Sequence, residues 1–98
     1  MALEQQKRKK AVALLYDQKK SVAPKIVASG SNIVAEKIIA TAMEAGVHIK
    51  EDRNLVELLA KIPVGEEIPA ELYQTIAEVL AFVYSVNNKY KEKLVTPG

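Results

Sequence analysis

The segment Ile62–Tyr84, IPVGEEIPAELYQTIAEVLAFVY, contains a turn, a helix start and a helix face in one run. Pro63 and Gly65 punctuate the backbone, Glu66 and Glu67 follow as polar turn residues, and Pro69 stands where a helix can begin. At a first helical position proline loses nothing by its missing N–H, and Glu71 sits in the positive field of the helix N-terminus. From there Leu72, Ile76, Val79, Leu80 and Val83 gather on one side of a helix, a stripe that has to be buried. The opposite arc carries Glu71, Gln74, Thr75, Glu78 and Ser85. Phe82, the single phenylalanine of the chain, falls inside that polar arc, so it is either covered by another segment or kept for a partner.

Upstream of this stretch, Glu51-Asp52 opens a helix in which Leu55, Leu58, Leu59 and Ile62 hold i, i+3, i+4, i+7 spacing. Val47–Lys50 before it reads as a short strand. A longer helix precedes that strand, capped by Ser31 or Asn32 and stopped by Gly46. Its predicted buried stripe is Val34, Ile38, Ala42 and Ala45 with Ala35 and Ile39 on the flank, while Glu36, Lys37, Ala40 and Glu44 face water. Pro24 forces Ala23 to be extended, and Lys25–Ala28 continues as a strand. Ala11–Tyr16, AVALLY, is short and wholly apolar, which predicts a strand covered on both faces. These two strands are compatible with an antiparallel pair, and strand–helix–strand from 25 to 50 predicts a parallel, right-handed crossover.

Downstream, Lys89, Lys91 and Lys93 suit a helix C-terminus, and residues 93–98 are expected to be a flexible tail. Residues 1–10 form a basic arm and 11–92 the folded domain. The fold class is α/β or α+β: a small mixed sheet of three or four strands with about three helices packed around it.

Composition narrows the function. The 98 residues are 49% hydrophobic and 27% charged, the profile of one globular domain. No apolar run approaches the ~20 residues of a membrane helix, which points to a cytoplasmic protein. With no cysteine, disulfides, thiolate metal sites and cysteine nucleophiles are excluded. His48 has no second convergent group in the sequence, Glu66 and Glu67 are adjacent rather than facing, and no serine follows a strand in a nucleophile elbow. Ser29-Gly30-Ser31 is too short of glycine for a phosphate loop. Neither an enzyme nor a cofactor is expected.

AVALLYD, APKIVASG, VGEEIP and ELYQTIAEVLAFVY, taken together in order and spacing over residues 11 to about 86, resemble the cytoplasmic C-terminal domain of the FlhB/YscU family, the substrate-specificity switches of type III export. In that family the domain hangs from a four-helix membrane anchor beneath the export gate. It cleaves itself within an Asn-Pro-Thr-His sequence just before the strand that resembles Ala11–Tyr16. At the matching positions this sequence reads Gln6-Lys7-Arg8-Lys9. The cleavage needs an asparagine that closes a five-membered succinimide, whereas Gln6 would have to close a less favourable six-membered ring. No catalytic residue therefore carries over, and the resemblance implies a stand-alone, non-cleaving relative of the post-cleavage domain.

The resemblance further implies protein partners of the flagellar or type III export apparatus: the export gate, a full-length relative and hook-type cargo. It also places one more strand before Ala11–Tyr16, so the sheet edge there is expected either to be open to an extended peptide or to be covered by residues 1–10 folding over it. Phe82, Glu66, Glu67 and the basic run Lys7, Arg8, Lys9, Lys10 are the candidate contact residues. The competing function is binding of nucleic acid or an anionic surface through that run with Lys19, Lys20 and Lys25; four adjacent cations without aromatic interleaving are a weak footprint, and nucleic acid is not expected.

Overall fold

The computed structural model describes residues 9–17, 23–87 and 91–98. The strands are β1 (Lys10–Asp17), β2 (Lys25–Ser31), β3 (His48–Ile49) and β4 (Lys91–Pro97), and the helices are α1 (Ile33–Ala45), α2 (Arg53–Leu59) and α3 (Tyr73–Asn87). They form the expected α+β architecture, a single mixed sheet in the order β2-β1-β4-β3. α1 lies on one face of it and α2 with α3 on the other.

β1 is central. It pairs antiparallel with β2, Ala11 opposite Gly30 and Leu15 opposite Lys25, with a register shift between Ala13 and Leu14. Its other flank pairs antiparallel with β4, Ala11 opposite Pro97 and Asp17 opposite Lys91. Two predictions fail at this point. Residues 93–98 are not a flexible tail: Leu94, Val95 and Thr96 are buried, and Gly98 exchanges backbone hydrogen bonds with Lys10 at 3.1 and 3.4 Å. The flank of β1 expected to be open to a peptide or covered by residues 1–10 is instead filled by β4. The lysines that suggested a helix end, Lys91 and Lys93, lie in that strand. Only Leu94 and Val95 are apolar there, so the strand's stability comes from pairing on both sides, which no local pattern encodes.

β2, α1 and β3 keep the parallel sense of the predicted crossover, because β2 and β4 both run antiparallel to β1 and β3 runs parallel to β4. They are not neighbours, however; β1 and β4 lie between them. α1 ends as predicted at Gly46, which takes the left-handed conformation, with the N–H of Val47 donating to the Ala42 carbonyl at 2.9 Å. Asn32 occupies the N-cap position without a side-chain cap bond. At α2 the cap is the side chain of Asp52, whose Oδ1 accepts from the Leu55 N–H at 3.0 Å.

The two faces of the sheet differ in side-chain size. Val12, Leu14, Ile26 and Leu94 meet Leu55, Val56, Leu59, Ile68, Ile76 and Leu80 in one buried cluster of large side chains. The α1 face is built from Ala11, Ala35, Ala42 and Val95, flanked by Ala13, Ile38, Ile39, Val47 and Ile49. Leu72, Ile76, Val79 and Leu80 of the predicted stripe face the first cluster. In α2, Val56 is buried in place of Leu58, which is 48% exposed. In α1 the predicted stripe is only half realised: Val34 and Ala45 are exposed.

Thr96 is fully buried, and its hydroxyl has no hydrogen-bond partner among the described residues. An unsatisfied buried hydroxyl carries its desolvation cost without return. Thr96→Val is expected to raise the unfolding free energy by about 1 kcal/mol. Urea denaturation checks this, and a destabilised variant would show that the hydroxyl is bonded in solution.

Candidate partner-binding surfaces

The turn that opens the Ile62–Tyr84 stretch is more than a connection. The N–H of Glu66 donates to the Pro63 carbonyl at 3.2 Å, closing a β-turn in which Gly65 has φ 97°, a conformation that side chains resist. The chain then runs along the outer edge of β2. Gly65 donates to the Ile26 carbonyl at 2.7 Å, Ile26 to the Glu66 carbonyl at 2.9 Å and Ile68 to the Pro24 carbonyl at 2.9 Å. Lys25 and Glu67 face each other in a single antiparallel bridge. Ile68 is buried beneath, so Glu66 and Glu67 are held exposed on a backbone fixed from both sides. An acidic pair is thus presented rigidly at the sheet edge.

Of the basic run, Lys7 and Arg8 lie outside the described residues, while Lys9 and Lys10 lead into β1. Lys10 Nζ donates to Glu57 Oε1 of α2 at 2.7 Å, and Lys9 Nζ stands 3.8 Å from Glu36 of α1. The two cations are pinned to helices on opposite faces of the sheet. The hydrogen bond from Lys10 holds the Glu57 carboxyl below its ordinary value of 4.5. A carboxylate with a depressed folded-state value stabilises the fold above the unfolded value and loses that contribution as pH falls through the folded one. The pair is exposed, so the effect is small; Glu57→Gln is expected to lower the neutral plateau of a stability–pH profile slightly and to flatten its acid limb below about pH 4.5, so that variant and wild type converge in acid.

Phe82 belongs to α3, and its side chain lies outside the described residues. The three candidates are not brought together: the acidic turn is on the β2 edge, Lys9 and Lys10 are at the start of β1, and Phe82 is near the end of α3. Among the described residues no helix is long and apolar enough to cross a membrane, and no cluster of His, Asp or Glu has the make-up of a metal site.

A fourth surface escaped the sequence. Between α1 and the sheet runs an open apolar groove of about 320 Å³, walled by Val34, Ile38 and Ala45 of α1 and by Val27, Val47 and Val95. Its floor consists of small side chains, Ala13, Ala28 and Ala42. The cause is the alanine content of this face: helix and sheet cannot close over side chains that short. The signal was present in the alanines at 11, 13, 28, 42 and 45, but period alone counts alanine as apolar and takes no account of volume.

The family model described as the FlhB HrpN YscU SpaS Family matches residues 8–83, from β1 through most of α3. The chain belongs to that family. It is 47% identical over 90 residues to the protein YlqH of Bacillus subtilis, covering 92% of this chain and 97% of YlqH. It is 39% identical over 80 residues to the flagellar biosynthetic protein FlhB of the same organism, covering 81% of this chain, and 40% identical over 77 residues to FlhB of Escherichia coli, covering 78%. The chain thus spans almost the whole of YlqH but only 22% and 20% of these FlhB proteins. The matched segment begins at residue 8, inside the basic run.

Proposed function

We propose that this FlhB-family chain is a non-catalytic protein-interaction module of the flagellar or type III export apparatus, binding export-gate components or cargo in the cytoplasm. The observation that carries this is the continuous family match over residues 8–83, which takes in β1 to β3, α1, α2, the 63–68 turn and most of α3, with β4 beyond its end. Glu66, Glu67 and Phe82 are the proposed contacts, with Lys7, Arg8, Lys9 and Lys10 as an auxiliary cationic strip. A nucleic-acid role is less supported, because Lys9 and Lys10 each have a carboxylate partner and would have to exchange it for a phosphate.

The test is a binding titration of the purified chain with the cytoplasmic domain of the export gate and with hook-type cargo. Saturable binding that changes less than about tenfold between roughly 50 and 200 mM salt is expected, and Phe82→Ala combined with Glu67→Lys is expected to weaken it. Affinity for duplex DNA alone, falling about a thousandfold over that range, would overturn the proposal.

A further inference from the structure

The groove under α1 has a chemistry of its own. From Val34 to Ala45 it follows roughly 16 Å of helix at 1.5 Å per residue. Val27 and Val34 on its rim are 39% and 51% exposed, so it is an open trough rather than an enclosed cavity. Its charged lining is Lys37 on the α1 wall and Lys93 on the β4 wall, with Thr41 the other polar side chain. Among the described residues no carboxylate lines it and neither lysine is in an ion pair. An apolar trough between two cations favours an occupant with aliphatic side chains flanked by carboxylates.

We infer that this groove docks an acidic, aliphatic peptide segment of a protein partner, with its aliphatic side chains over Ala13, Ala28 and Ala42 and its carboxylates on Lys37 and Lys93. The inference rests on the reading of the chain as a protein-interaction module but uses a surface separate from the 63–68 turn. An elongated open trough suits side chains projecting from a peptide, which keeps its own backbone hydrogen bonds outside. The alanine floor admits branched aliphatic groups that a leucine-lined face would exclude.

The probe is a short synthetic peptide with leucines on one helical face and glutamates flanking them, compared with its lysine-flanked counterpart and with dodecanoate. In an amide NMR titration of the full chain, the glutamate peptide is expected to shift Val27, Val95 and the residues of α1. The lysine peptide is not. The exposed double variant Lys37→Glu with Lys93→Glu is expected to lose at least about tenfold in affinity for the glutamate peptide and to gain it for the lysine peptide. Unfolding of that variant would be visible in the same spectra, and Lys37→Gln with Lys93→Gln then reads the loss alone. Shifts from dodecanoate only, or no shifts along α1 with either peptide, would overturn the inference. If the peptide binds here while export-gate and cargo proteins do not bind the wild-type chain, the groove stands and the proposed function falls. If they bind the double variant as well as the wild type, the function stands and the groove is not where its partners dock.

Discussion

Removing residues 91–98 is expected to abolish cooperative folding. β4 contributes Leu94, Val95 and Thr96, all buried, and it lies between β1 and β3 in the sheet, paired with both. Its loss strips β1 of a neighbour along seven paired positions and leaves β3 without one. Deleting one large core side chain costs about 2–5 kcal/mol, against a total of about 5–15 for a domain of this kind, so the loss of the strand exceeds what the rest can supply. The shortened chain should give no sigmoidal urea transition at 25 °C. A synthetic peptide of residues 91–98, added in excess, should restore one by strand addition. A shortened chain whose transition stays within about 1 kcal/mol of the intact one would show that β4 contributes little.

The second large effect separates the two faces of that strand. Leu94 points into the filled cluster with Leu14, Leu59, Ile76 and Leu80, while its neighbour Val95 points to the alanine-rich side beside the groove. Leu94→Ala is expected to cost about 3–5 kcal/mol, because the surrounding large side chains cannot collapse into the space. Val95→Ala removes fewer atoms from a site that already borders open volume, and its cost should fall well below that. Chemical denaturation of the two single variants checks the ratio. Equal costs would mean that both faces are packed to the same density.

These two experiments also bear on what a sequence can disclose. The face of α3, that of α2 except for the exchange of Leu58 for Val56, the burial of β1 on both sides, the Gly46 stop and the Pro63–Gly65 turn were legible. Each is set by local chemistry: period, left-handed conformation or the length of an apolar run. β4 was not legible. Its charges at 91–93 resemble a helix end, its apolar set is two residues long, and its place beside β1 is a contact across most of the chain. The error about the open flank has the same origin, since an edge appears open only when the strand that fills it has been taken for a tail.

The surface divides in a similar way. Glu66 and Glu67 were found from sequence as turn residues, but their attachment to the β2 edge depends on backbone bonds to Pro24 and Ile26 that no pattern shows. Lys9 and Lys10 were found as a charge run, while their partners Glu36 and Glu57 come from two different helices. The groove was hidden by treating Val34 and Ala45 as core. Packing requires volume as well as polarity, and alanine supplies little of it.

Closure of the sheet by β4 determines how partners can bind. With both flanks of β1 occupied, a partner docks on faces, turns or the groove rather than by adding a strand beside β1. Cross-strand nuclear Overhauser contacts on isotope-labelled chain test this most directly. The fold predicts contacts pairing Val12 with Thr96, Ala13 with Val95 and Leu14 with Leu94, together with slow exchange of the amides of residues 94–96. Contacts from β1 to β2 alone, with those amides exchanging at the rate of free peptide, would contradict it and reopen the flank of β1 to an incoming strand.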